Sequence, residues 1–177
     1  MKRREVIRDI IMVAGSFVLV PSCLQQPPVN ASIALKRITI TLEQENLLRH
    51  IASVIIPETD TPGAGQLGCH LYTLRMLDDC YEKEVQQKFI KGLNDLEKYT
   101  EKKFAHSFAE CTLQQQQQVL GEAENQRTGN PDISEFYEIM KQRTMQGYLT
   151  SEYVLTNINK YEFIPLERYN GYAPVKP

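Results

Sequence analysis

Between Thr41 and Ile158 the large apolar residues recur at spacings of three and four, in segments broken by prolines, glycines and capping residues. A period near 3.6 places such residues on one side of a helix. Leu47, Leu48, Ile51, Ala52 and Ile55 share a face behind Thr41-x-x-Gln44, a capping-box start. Pro57 ends that helix by pushing Ile56 out of the α region. Glu58 to Gly68 then reads as a turn-rich loop. Leu71, Leu74, Leu77 and Tyr81 predict a second helix, and Val85, Phe89, Leu93 and Leu96 a third. Phe104 and Phe108 predict a short helical pair. Thr112-x-x-Gln115 predicts a further capped helix, with Leu113, Leu120 and Ala123 inward and Gln114 to Gln118 on its solvated face. Arg127 to Asp132, with Gly129-Asn130-Pro131, is a turn. Ile133, Phe136, Tyr137, Met140, Thr144 and Tyr148 mark a long helix, and Thr150 or Ser151 caps a last one ending near Ile158. No segment alternates as a strand does. The expectation is an all-α, small single-domain helical bundle with an irregular arm from Tyr161 to Pro177.

The N-terminus obeys a different logic. Lys2-Arg3-Arg4-Glu5-Val6-Ile7-Arg8 precedes an apolar run from Ile10 to Val20, the layout of an export signal. The Arg3-Arg4 pair points to the bacterial twin-arginine route, which carries proteins already folded. The run is shorter than the roughly 20 residues of a spanning helix. Val20-Pro21-Ser22-Cys23 resembles a lipobox, with Pro21 departing from the usual small or hydroxyl residue; Cys23 is the lipidation candidate. The alternatives are ordinary cleavage near Ser22 or after Ala31, and a basic start to a cytoplasmic protein. The expected organisation is a signal over 1–23, a linker over 24–40 rich in Gln and Pro at its start, and a helical domain over 41–177. Export to the periplasm follows, with membrane anchoring if Cys23 carries lipid.

Without residues 1–23 the chain keeps 16 Lys plus Arg against 20 Asp plus Glu. A mildly acidic chain without basic clusters is a poor nucleic-acid binder. Cys69 and Cys80 fall on one predicted helix, about 16 Å apart, too far for a disulfide. Cys111 could pair with either, but buried free thiols are the simpler reading.

Motifs for chemistry are incomplete. Gly63-Ala64-Gly65-Gln66-Leu67-Gly68 matches G-x-G-x-x-G, yet no βαβ unit surrounds it, so a flexible loop is the better reading. His50, His70 and His106 have no metal spacing with the cysteines. Asp78, Asp79 and Glu82 could be an acid/base group, but such a cluster is more often a solvated face. Ser107 and Ser151 lack a nucleophile setting. No catalytic residue, metal site or cofactor site is therefore assigned to this chain. Nine tyrosines against no tryptophan leave Tyr161, Tyr169 and Tyr172 in the Pro-rich tail, suited either to a protein contact or to packing back on the bundle.

Four segments carry a resemblance. Ile55-Ile56-Pro57-Glu58-Thr59-Asp60-Thr61-Pro62-Gly63-Ala64 is similar to the signature loop of the gluconate 2-dehydrogenase subunit 3 family. Leu77-Asp78-Asp79-Cys80-Tyr81, Gly147-Tyr148-Leu149-Thr150-Ser151-Glu152 and Tyr161-x-x-Ile164-Pro165-x-x-x-Tyr169-x-Gly171 support it. The resemblance implies a small subunit that supplies the export signal for a large flavoprotein of the GMC oxidoreductase type. That partner holds FAD and performs the oxidation, and some complexes add a cytochrome c subunit. The candidate partner contacts are Pro57, Glu58, Thr59, Asp60, Thr61, Pro62 and Gly63 in the loop, and Tyr161, Pro165, Tyr169 and Gly171 in the arm. Two rivals remain: an independent enzyme using Asp60, Asp78 or Asp79, and a stand-alone exported lipoprotein that binds a ligand or scaffolds a complex.

Overall fold

The computed structural model describes residues 31–161, and the fold there is all-α. The order is α1 (Leu42–Ile55), α2 (Cys69–Cys80), α3 (Lys83–Phe104), a 3-10 turn (Phe108–Glu110), α4 (Leu113–Glu124), α5 (Pro131–Leu149) and a π-helical turn (Val154–Ile158). α5 is the central element, packing on α3 and α2 most extensively and also on α4 and α1. No helix among the described residues is long and apolar enough to cross a membrane.

The helix starts follow from local chemistry. Thr41 and Thr112 each accept from the backbone N–H three residues on, and Gln44 and Gln115 return the bond to the cap backbone. Two of the orphan donors at each helix start are thereby satisfied. Pro131 occupies the first turn of α5, where its missing N–H costs nothing, and Asn130 caps it by accepting from Asp132. The predicted turn thus ends one residue before Pro131.

Leu48, Ile51, Leu74, Leu77, Phe89, Leu93, Leu96, Phe136 and Met140 form the sealed interior. The rings of Phe89 and Phe136 meet edge-on at 4.8 Å between centroids and 61° between planes, pinning α3 to α5. Leu120 and Ala123 point inward as expected, whereas Leu113 is 56% exposed. Leu113 opens the first turn of α4, on the side of Leu120 seven residues later, but at the helix end it is left uncovered. Gln116 is likewise drawn out of the expected solvated face, because its amide donates to the Phe108 carbonyl at 2.7 Å. Phe104 and Phe108 do not share a helix: α3 stops at Phe104, Ala105 adopts φ 58°, and Phe108 begins the separate 3-10 turn.

The linker expected over 24–40 is part of the fold from Ala31 onward. Ile38 and Ile40 are buried in the core, and Ala31, Ile33 and Leu35 pack against it. Two carboxylates hold this arm. Glu45 on α1 accepts from the backbone and the hydroxyl of Ser32, both at 2.6 Å. Asp78 on α2 accepts the backbone N–H groups of Lys36, Arg37 and Ile38 at 2.8, 2.7 and 3.0 Å. Asp78 is completely buried, so the solvated-face reading holds for the exposed Asp79 and fails for Asp78. A buried carboxylate needs such partners, since an unpaired one is costly. Gln86 completes the junction by donating to the carbonyls of Leu77, Asp78 and Tyr81, which the end of α2 leaves without helical partners.

Candidate partner-binding face

The segment from Pro57 to Gly68 is a packed loop, not a flexible one. Ile56 is extended, its N–H returns to the Ala52 carbonyl, and its own carbonyl accepts from Ala64 at 2.9 Å. Gln66 and Leu67 donate to the Gly63 carbonyl, the Gln66 side chain accepts from Gly63, and Cys69 donates to Ala64. Gly68 closes the loop in the left-handed region at φ 68° and leads straight into α2. Ala64 is fully buried. Gly65 lies so close to α1 that a Cβ there would collide with the Ser53 hydroxyl and press on the Arg49 carbonyl. Gly65→Val is accordingly expected to shift the loop and to lower stability by about 2 kcal/mol, read by chemical denaturation. The glycines of the G-x-G-x-x-G string thus serve the loop's own packing at Gly63, its contact with α1 at Gly65 and its left-handed turn at Gly68, and the helix that precedes them leaves no strand to feed a dinucleotide site.

The other side of the loop is tied to α5. The Thr61 hydroxyl lies 3.4 Å from the Tyr148 hydroxyl. The neighbouring Gly147 lets α5 approach α2, with the Tyr72 ring where a side chain would otherwise sit. Ser151 bonds the Tyr148 carbonyl at 2.7 Å and accepts from Val154, so Ser151 rather than Thr150 starts the final turn. That turn is π-helical, an uncommon form often found at functional positions. Its residues Thr156 and Asn157, with Ser151, Glu152, Tyr153 and Leu67, line a small cavity of about 380 Å³ at the loop. Tyr161 is held beside the turn through its N–H to the Leu155 carbonyl.

The sequence candidates therefore divide. Pro57, Glu58, Thr59 and Asp60 form the exposed tip; Thr61 and Pro62 are half-buried; Gly63 is buried and shapes the loop from within. Tyr161 is 58% exposed, near Leu149 and Ile158 in sequence, which are 62% and 50% exposed. Arg3, Arg4, Cys23, Pro165, Tyr169 and Gly171 lie outside the described residues, as do Tyr172 and the rest of the tail. The first and third signature-like segments and Tyr161 thus surround one end of the bundle. The second, Leu77 to Tyr81, lies elsewhere and serves the N-terminal arm through Asp78. Tyr81 also reaches α5, where the Arg143 guanidinium donates to its hydroxyl at 2.8 Å.

Groups with chemical potential are muted by burial. Burial pushes the Cys69 thiol up to about 11, partly opposed by its backbone hydrogen bond. Cys69 and Cys111 are buried free thiols, as expected, whereas Cys80 is exposed. Burial also lowers the His70 pKa, with Glu45 working against that shift and Arg49 with it. The shift favours the neutral imidazole, and the Nδ1 atom has no partner among the described residues. Among those residues no group of three or more His, Cys, Asp or Glu could hold a metal ion. A larger groove of about 780 Å³ runs between the end of α4 and α5; of its three carboxylates, Glu124 and Glu135 are paired with Lys141 and Lys88, and Glu138 is exposed.

A family model described as Gluconate 2-dehydrogenase subunit 3 matches residues 42–165, and the chain belongs to that family. The family name is that of a subunit in a gluconate 2-dehydrogenase complex and implies a catalytic partner subunit. No curated protein and no solved structure matches the chain.

Proposed function

We propose, from the chain's place in the gluconate 2-dehydrogenase subunit 3 family, that it is the non-catalytic small subunit of an exported, flavin-dependent sugar or sugar-acid dehydrogenase. Its partner is a GMC-type flavoprotein that holds FAD, and a cytochrome c subunit can complete the assembly. In this reading the Arg3-Arg4 signal serves two polypeptides, because the flavoprotein travels folded on the small subunit through the twin-arginine route to the periplasm. Cys23, if lipidated, holds the assembly at the membrane, where one lipid chain needs a second contact for stable anchoring.

The observation that carries the reading is the convergence of signature-like segments with exposed apolar side chains at one end of the bundle. Leu149, Ile158 and Tyr161 stand exposed at the end of the bundle that holds a loop whose backbone bonds the end of α1 and whose Thr61 hydroxyl meets Tyr148 of α5. Preorganised loops lose little entropy on binding, and aromatic and aliphatic anchors carry most interface energy. Charges at Glu58, Asp60 and Glu152 suit a rim that orients the partner.

Co-expression of the flavoprotein with the full chain tests both halves. Arg3→Lys with Arg4→Lys should keep the flavoprotein in the cytoplasm while the two proteins still co-purify. Leu149→Asp with Tyr161→Ala should reduce co-purification at least tenfold while leaving helicity and Tm unchanged. Equal periplasmic flavoprotein with and without the arginine pair would overturn the escort role. Undiminished co-purification of the second variant would overturn the assigned face.

A further inference from the structure

We infer that Lys36-Arg37 is a processing site for a trypsin-like protease, and that the domain is built to remain folded after the cut. Both side chains are exposed, as an acidic specificity pocket requires, while the backbone beneath them is pinned to Asp78. Hydrolysis of Lys36–Arg37 or of Arg37–Ile38 adds a water hydroxyl to the carbonyl carbon and a proton to the departing nitrogen. The new terminus is an α-ammonium at neutral pH, since such amines titrate near 8. In either case its nitrogen already stands at a carboxylate. Arg37 N lies 2.7 Å and Ile38 N 3.0 Å from Asp78 Oδ1.

The cut therefore replaces a neutral N–H donor by a charged one where it already stands, while Asp78 gives up the Lys36 N–H and, for the second bond, the Arg37 N–H as well. A buried carboxylate that had accepted from neutral amides gains a direct counter-ion, and charge-assisted bonds are roughly twice as strong as neutral ones. Ile38 and Ile40 stay in the core behind this anchor. What leaves is the outer part of the arm, Ala31, Ile33 and Leu35, which is only partly buried, together with the Ser32 contact to Glu45, the Arg75 contact to the Ala34 carbonyl and the Lys36 N–H bond to Asp78, joined for the Arg37–Ile38 cut by that of Arg37. Protease entry requires residues 31–38 to lift transiently, the scissile bond and its Asp78 contacts included, and a short arm held outside the helices opens at lower free energy than the helices do. Everything before the cut is separated from the domain. That this severs a tether rests on the export reading above; the cleavage and its stable product do not.

The test treats the full chain with limiting trypsin and reads masses and N-terminal sequence. A folded fragment beginning at Arg37 or Ile38 should accumulate. Its α-amine should react with an acetylating reagent at least tenfold more slowly than in the same fragment under denaturant. In Lys36→Gln with Arg37→Gln no such fragment should form, and the chain should stay folded. First cleavage elsewhere in the described domain, a fragment that is unfolded at 25 °C, or an α-amine as reactive as the denatured one would each overturn the proposal. Failure of flavoprotein escort would leave these outcomes untouched.

Discussion

Asp78→Asn is expected to lower the stability of the domain by about 3 kcal/mol at neutral pH, measured by urea unfolding. The carboxylate accepts three backbone N–H groups and donates none. An asparagine amide at the same place must turn its own NH2 toward at least one of those donors. A buried donor then faces a donor, and the arm loses the contact that keeps Ile38 and Ile40 in the core. The same geometry fixes the pH dependence. Burial works to raise the Asp78 pKa, but the hydrogen bonds from Lys36, Arg37 and Ile38, with the Arg37 charge, bring the net shift below the usual carboxylate range. The unfolded chain thus binds this proton more tightly than the folded one. Its stabilising contribution is full above the unfolded value, near pH 4, and is lost as pH falls through the lower folded value. The wild type should weaken on that acid limb, and the Asn variant should show a flatter limb. Equal stability of the two proteins at pH 7 would mean that the three hydrogen bonds do not hold the arm.

How much of this was readable in advance depended on whether a residue's role was periodic. The stripes at Leu48 and Ile51, at Leu74 and Leu77, at Phe89, Leu93 and Leu96, and at Phe136 and Met140 predicted the helices because each buried face repeats with the helical period. The capping boxes at Thr41 and Thr112 located two helix starts to the residue. The arm was missed because its anchors are carboxylates, which sequence reading assigns to solvent. One signal was available: Asp78 stands four residues after Leu74, on the buried stripe of α2, where a charge needs a partner. Glu45 carried no such mark, since its partner Ser32 lies 13 residues away in a segment with little apolar periodicity. Leu113 failed for the opposite reason, because the end of a helix can leave an apolar side chain in water when nothing packs above it. At the candidate face, the loop residues were legible through their resemblance and the packed state of the loop was not. The glycines that suggested looseness at positions 63 and 65 are small because α1 and the loop's own backbone fill the space.

Gly92→Ala and Gly121→Ala should change stability in opposite directions, although both glycines sit inside helices. Gly92 faces α5 at the α3 crossing, and a Cβ there would strike the Asp132 carbonyl oxygen and the Phe136 Cβ. Neither atom can be moved by a side-chain rotation. The helices would have to part, which pulls Phe89 from Phe136 and stretches the Lys91–Asp132 and Lys88–Glu135 pairs. Alanine recovers about 1 kcal/mol of helix propensity. Overpacking of a close crossing costs more, so the net loss should be about 2–3 kcal/mol. Gly121 has nothing within 4 Å of the same added methyl. There only the propensity gain remains, and the variant should gain up to about 1 kcal/mol. Paired urea titrations of the two variants read the contrast. If both were stabilised alike, α3 and α5 would not meet at Gly92, and the central packing around α5 would need a different geometry.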